Sequence, residues 1–392
     1  AGSNLPIDLT SDFIRRVEGT ITGTDSYTPD PNFDDMTDAA DEITNVFLTV
    51  GDVRLAGTAG FELLTRESDV NTTGDGSVDL TGATLDSFAL SLMGGGVHIE
   101  DVAHLTVSGE LAVARVSHTA SMPSLATRNY TAFRMGDVTV TGAFNAADLN
   151  LTATLEIDSL DSHSASGTDA AGMPVTVPRL DWTRAFDLDG DGIYGEADDR
   201  IDAGNGLPID LTADLIRRVK GTVTGTATHP YSSMEFDGTT EIQQVFLTAG
   251  DVRLAGSAAF SLETHEVDVD TNGETFNTTD ADALAAARLD SFALSLNGAG
   301  VHVDDVAHLT VSGDLALARV SHTSGLATRN YTAFRMGYVT VTGDFNVGDL
   351  DLTATLEIDA LDSNTASGTD ATGTTVAVPR LDWPRAFDLD GD

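Results

Sequence analysis

HLTVSGELAVARVSH, at 104–118, sets Leu105, Val107, Leu111, Val113 and Arg115 on alternating positions. Successive side chains of a strand point to opposite faces, so this spacing predicts a β-strand with one face against a core. The same period of two runs through DVRLAG at 52–57, DVTVTG at 137–142 and NLTATLEID at 150–158. Val and Thr abound in these stretches, and their branched side chains suit a pleated, half-buried surface. Helical signal is confined to ADALAAAR at 281–288, read as one or two turns, and to 9–17, which fits either state.

The strands repeat. LPIDLTSDFIRRVEGTITGT at 5–24 returns as LPIDLTADLIRRVKGTVTGT at 207–226, and LDSFALSL at 85–92 returns at 289–296. LATRNYTAFRMG at 125–136 recurs unchanged at 326–337. Internal repetition on this scale predicts two copies of one module of about 200 residues, long enough for each to bury its own core. The spacing between matched phrases shifts within 25–45, 65–84 and 119–124, which are therefore read as loops, where insertions are tolerated. The expected fold is all-β, with two tandem antiparallel sandwich-like domains end to end. A barrel or flattened solenoid remains open, although a solenoid would show a shorter coil repeat.

The boundaries follow: domain 1 at 1–186, a linker at 187–202, domain 2 at 203–387, and the start of another linker at 388–392. The last residues match the middle of the first linker, so the chain reads as a window onto a longer array.

Composition narrows the partners. The 392 residues carry 62 acids against 20 bases, a net charge of −42, with Lys220 the single lysine. Such a field repels nucleic acid and anionic membranes and attracts divalent cations. There is no cysteine, which excludes disulfides and thiolate metal sites. No apolar run approaches the ~18 residues of a membrane-spanning helix, so no membrane insertion is expected.

One stretch has ligand spacing. DLDGDGIYGEAD at 187–198 places Asp187, Asp189 and Asp191 at positions 1, 3 and 5 of a twelve-residue loop, Gly192 at 6 and Asp198 at 12. Ca²⁺ takes six to eight hard oxygens, which alternate carboxylates around a sharp turn supply. The carbonyl of Ile193 would be the seventh-position ligand, a water beside Gly195 the ninth, and Asp199 would assist Asp198. Asp388, Asp390 and Asp392 begin the equivalent loop of copy 2. The loop resembles the EF-hand-like loops of dockerins, which also end in Asp, but no entering helix precedes it. That resemblance implies Ca²⁺ alone. DVDTNG at 268–273 begins in a similar way yet has Thr279 at position 12, and it is read as a polar hairpin loop rather than a metal site.

Other chemistry is thinner. His98, His104 and His118 recur as His302, His308 and His322, and are read as surface or strand-edge residues rather than a metal site. No Gly-x-Ser-x-Gly, His-Glu-x-x-His or phosphate loop is present, so no enzyme is expected. GDVRLAGTAGFEL at 51–63 and LSLMGGGVHIEDVAHLTVSGELAVARV at 90–116 resemble the giant tandem β-strand repeat proteins of bacterial cell surfaces. The resemblance implies an extracellular structural protein, a calcium-stiffened filament or adhesin stalk that self-associates head to tail. The competing expectation is a serial glycan- or surface-binding module, with Tyr130, Phe133 and Tyr331 lining a groove. A polysaccharide-active enzyme ranks below both.

Overall fold

A computed structural model describes residues 12–27, 43–99, 103–120, 126–146, 149–197, 199–202, 206–230, 241–271, 283–303, 306–347 and 350–387. Copy 1 contains β1 (Phe13–Thr22), β2 (Asp25–Tyr27), β3 (Ile43–Val50), β4 (Val53–Val70), β5 (Leu80–Ile99), β6 (Ala103–Thr119), β7 (Thr127–Ala146), β8 (Leu149–Thr168) and β9 (Pro174–Val175). The short β10 (Ile201–Asp202) and β11 (Pro208–Ile209) lie in the connection. Copy 2 contains β12 (Leu215–Gly225), β13 (Ala227–Pro230), β14 (Glu241–Ala249), β15 (Val252–Asp270), β16 (Ala283–Val303), β17 (Ala307–Ser324), β18 (Ala327–Val347), β19 (Leu350–Thr369) and β20 (Thr375–Val376). The described residues are all-β, with no helix among them.

The strands are long. β5 and β7 each have 20 residues, so at about 3.4 Å per residue they span roughly 65 Å. Each pairs antiparallel with its sequence neighbours, β4–β5–β6–β7–β8 in copy 1 and β15–β16–β17–β18–β19 in copy 2. The ladders break at matched places: the β6–β7 register shifts beside Gly109, and the β17–β18 register beside Gly313. Both glycines have φ of +147°, and a Cβ on Gly109 would lie 2.7 Å from Val138 Cα. A bulge of this kind bends a strand, and only glycine fits here.

At the outer side of β4, one strand position is shared by two segments. β1 pairs with residues 58–66 of β4, and β3 with residues 53–56. β12 and β14 share β15 in the same manner. The chain leaves one segment where the other enters, and a Cβ on Gly225 would sit 1.9 Å from the carbonyl oxygen of Gln244.

The two copies belong to one sheet. β12 pairs on its other side with β8 of copy 1, in a register from Arg217↔Ser162 to Gly225↔Ala153, and β14 continues the ladder to Ala249↔Leu149. An 18-stranded sheet therefore runs through the joint.

The core lies between this sheet and an irregular layer. Leu85, Ala89, Ala112, Ala114, Val116 and Ala132 of β5–β7 are almost completely buried under Leu180, Trp182, Phe186, Ile201, Ile209 and Leu211. Alanines on the sheet let this mostly irregular layer, with its short β10–β11 pair, approach closely. Full burial of each large side chain contributes about 1.5–3 kcal/mol. Residues 187–202, read as a linker, are thus part of the covering layer of copy 1, with Phe186 and Ile201 anchoring them at either end. Copy 2 repeats the arrangement in smaller form: Leu381 and Ala386 cover Val269, Leu284, Ala287, Val320 and Tyr331.

Several local expectations are corrected. The described part of 281–288 is strand, with Leu284 opposite Val269 and Arg288 opposite Glu266. Pairing with β15 and burial of Leu284 and Ala287 override the helical preference of an alanine-rich run. Residues 65–70 and 80–84 are strand rather than loop, because the ladder between β4 and β5 extends to Val70↔Leu80. Within 25–45, residues 25–27 and 43–45 are also strand.

Candidate metal centre

The sequence builds the Asp loop from short side chains that bond to backbone just ahead of them. Asp187 Oδ1 accepts from the N–H of Gly190 at 2.8 Å and of Asp191 at 3.1 Å, and its Oδ2 accepts from Gly192 N–H at 2.9 Å. Asp189 Oδ1 accepts from Asp191 N–H at 3.1 Å, and Asp191 Oδ1 from Ile193 N–H at 2.7 Å. Gly190, Gly192 and Gly195 take φ of 81°, 87° and 86°, the left-handed region that a loop wrapping around a centre requires. One carboxylate oxygen from each of Asp187, Asp189 and Asp191 lies within 4.8 Å of the others. Converging, mostly exposed carboxylates are the hard-oxygen donor set that Ca²⁺ takes, and each carboxylate retains lone pairs beyond those used by the backbone.

Asp199 closes the loop from inside. It is 3% exposed, accepting from Leu188 N–H at 2.6 Å and Glu196 N–H at 3.1 Å. Both oxygens are engaged with backbone, so this residue clamps the loop ends together. Asp198, Asp388, Asp390 and Asp392 lie outside the described residues, and Ile193 stands exposed at the rim.

The loop rests against copy 1. Asp187, Asp189 and Tyr194 share one cleft with Asp12, Glu67 and Asp69 at the end of β4. Burial, then the charges of Asp187, Asp69 and Asp199, push the Tyr194 phenol above its ordinary range. The layer is pinned nearby by Asn71 N–H donating to the Ala185 carbonyl at 2.9 Å, and the same bond recurs from Asp270 to Ala386 at 3.0 Å.

The other candidates separate. Asp268 and Asp270 sit in β15; Asp268 Oδ1 accepts from Ala286 N–H at 2.8 Å, and Asp270 is buried. The rest of that stretch, 272–282, lies outside the described residues. His98 and His104 are cross-strand partners whose Nδ1 atoms lie 2.8 Å apart, and His302 and His308 repeat the pair at 2.9 Å. His98 and His302 are not surface residues, at 5% and 2% exposed. Burial, and secondarily the partner ring, lower both His98 and His302 to about 4. His118 lies fourteen positions along β6, opposite Arg128, so the three histidines do not converge. Tyr130 and Tyr331 are buried in the two cores and offer no stacking face for a sugar.

Sequence reading missed the charged cluster at the joint. Arg218 of β12 donates to Asp161 of β8 from Nε at 2.8 Å and from Nη2 at 2.6 Å. Arg134 of β7 lies 3.6 Å from the same carboxylate, donates to the Pro208 carbonyl at 2.8 Å, and pairs with Asp210. The Asp161 side chain is completely buried. A signal was present, since an Arg-Arg pair and an Asp recur in both copies, but strand pairing between copies is what brings them together. Compared across known proteins, the chain finds no matching family model, no matching curated protein and no matching solved structure.

Proposed function

We propose that this chain is a structural repeat protein of an extracellular surface, a filament or adhesin stalk whose copies form tandem domains stiffened by Ca²⁺. The observation that carries the reading is the joint: the sheet passes from β8 to β12, and Leu207, Ile209 and Leu211 of the second copy sit in the core of the first. Copies joined this way cannot pivot freely, because bending at the joint breaks a ladder and opens a core.

In this reading Ca²⁺ is held by Asp187, Asp189 and Asp191, with the Ile193 carbonyl and Asp198 completing the shell. When bound, the ion supplies positive charge that offsets the repulsion of converging carboxylates. The protein's own part is to fix the loop: Asp199 ties its ends, and Phe186 and Ile201 root it in the core. A locked loop holds the covering layer, and with it the joint, in place.

Small-angle scattering of the full chain, in about 1 mM CaCl₂ and then in chelator, tests the proposal. The expected result is a stiff elongated particle that loosens when calcium is removed. The Asp189→Ala/Asp191→Ala variant should scatter like the chelated protein under both conditions. An identical profile with and without calcium, together with no calcium uptake by calorimetry, would overturn it.

A further inference from the structure

β5 and β6 carry His98 and His104 to facing positions near one end of their ladder, and β16 and β17 do the same with His302 and His308. In each pair the Nδ1 edges of the rings are turned together. The nitrogens lie 2.8 and 2.9 Å apart, closer than the ring centroids at 4.1 Å. A glycine two positions earlier on the strand permits this pose. A Cβ on Gly96 would lie 2.8 Å from His98 Nε2, and one on Gly300 would lie 2.9 Å from His302 Nε2, so each ring lies back along its own strand. His104 and His308 are only half-buried, which leaves each pair a side toward solvent.

Two imidazole nitrogens at this distance fit one metal ion. With metal–nitrogen bonds of about 2.0 Å, a separation of 2.8–2.9 Å subtends about 90° at the ion, whereas a tetrahedral angle would need about 3.3 Å. A right angle is the cis geometry of tetragonal sites, which Cu²⁺ and Ni²⁺ prefer and for which imidazole is a suitable ligand. Burial holds His98 and His302 down to about 4, so each ring is neutral at pH 7 and can offer an Nδ1 lone pair by carrying its proton on Nε2. The neighbouring cations are engaged elsewhere. Arg54 donates to the Gly51 carbonyl and lies 3.9 Å over the Tyr27 ring, and Arg253 donates to the Gly250 carbonyl. Among the described residues no third carboxylate or imidazole joins either pair at ligand distance, which leaves the other positions to water.

We propose that His98 with His104, and His302 with His308, form two sites for a divalent transition-metal ion of the Cu²⁺ type. Each ion is held by two Nδ1 atoms in adjacent positions, with water in the others. These sites are independent of the Asp loop and of the structural-repeat reading, because their ligands are nitrogens and Ca²⁺ takes oxygens. The two copies differ at one neighbour. His308 stands opposite Asp344 of β18, whose Oδ1 is buried without a hydrogen-bond partner, while His104 stands opposite Ala143. A carboxylate beside the pair favours a cation and can accept a hydrogen bond from its ligand water. The site of copy 2 is therefore the tighter, by about tenfold, the usual reach of an outer-shell partner.

Calorimetric titration of the full chain with CuCl₂ counts the sites, in excess Ca²⁺ so that exposed carboxylates are occupied while imidazoles stay available. The expected result is two ions per chain, in two classes about tenfold apart. Electron paramagnetic resonance of the loaded protein should show coupling to two imidazole nitrogens per copper. His104→Gln and His308→Gln should each remove one ion and the double variant both, while circular dichroism in chelator checks that each variant keeps its strands. Asp344→Ala should merge the two affinity classes. Copper held by oxygen alone in the parent protein, or uptake undiminished in a folded double variant, would overturn the proposal. The parent spectrum decides the matter even where a substitution unfolds the chain. Equal affinities of the two sites in the parent would overturn the role given to Asp344.

Discussion

Asp161 and Asp362 are the same residue of the repeat in two environments: the first is sealed beneath Arg134 and Arg218, and the second lies in solvent beside Arg335. What distinguishes them among the described residues is β12, which pairs with β8 and brings Arg218 onto Asp161. The pair is therefore a built-in control for the energetics of the joint.

Removing the buried carboxylate leaves two guanidinium groups without their shared anion. Asp161→Ala should destabilise the protein by about 3–5 kcal/mol, the usual cost of breaking a buried ion pair from one side. Asp362→Ala should change the monomer by less than about 1 kcal/mol, as expected of an exposed pair. Urea unfolding of the two variants checks the contrast.

Leu211 belongs to copy 2, yet its carbonyl accepts from Trp182 N–H at 2.9 Å and its side chain is 1% exposed in the core of copy 1. Leu211→Ala should cost about 2–5 kcal/mol through the cavity it leaves. The loss should appear in copy 1. Fluorescence of Trp182, isolated by a Trp383→Phe background, should report an earlier transition, and an unchanged midpoint would contradict the shared core.

The Asp loop separates ligand from clamp. Asp191→Asn should abolish the rise in melting temperature that calcium gives, with little effect in chelator. Asp199→Ala should lower stability even without calcium, by about 1–3 kcal/mol, since it strands the buried acceptors' partners at Leu188 and Glu196. Calorimetric melts with and without calcium distinguish the two behaviours.

The histidine pairs impose a pH dependence of known sign. His98 and His302 are lowered to about 4 by burial, so between about pH 6.5 and 4 the unfolded chain binds protons that the folded chain refuses. Their contribution is complete above pH 6.5 and is lost on acidification through that window, at no more than about 1.4 kcal/mol per pH unit for each. His265 works in the opposite sense. Its bond to Asp214, at 2.8 Å, raises its pKa, so its contribution is complete below the ordinary histidine value and fades as pH rises through the raised one. A His98→Gln/His302→Gln variant should flatten the acid limb of the melting curve, and a slope equal to that of the parent would refute the assignment.

Much of the molecule is legible in its sequence. Alternation at 104–118 specifies a strand, because a period of two is a local property of the backbone, and this stretch lies within β6. The copies were legible as repeated phrases, and the turn of the Asp loop as carboxylates and glycines at fixed spacing, since side chains only two to five positions from the backbone groups they bond need no distant help. ADALAAAR was misread for the complementary reason. Its own preference is weak beside the ladder to β15 and the core that hold it extended. The histidines looked superficial because burial depends on what lies over a strand, and a period alone does not report that.

By itself, then, the sequence determined which residues alternate, where the module repeats, and where carboxylates converge. Only the tertiary structure decided that β8 takes β12 as its neighbour, that the stretch read as a linker is the cover of a core, and that copy 2 supplies part of that core. Each of these joins residues far apart along the chain, as Asp161 and Arg218 are, 57 positions from one another. A strand edge offers the same N–H and C=O groups whatever its sequence, so the choice of neighbour follows from the faces and charges that chain folding brings together.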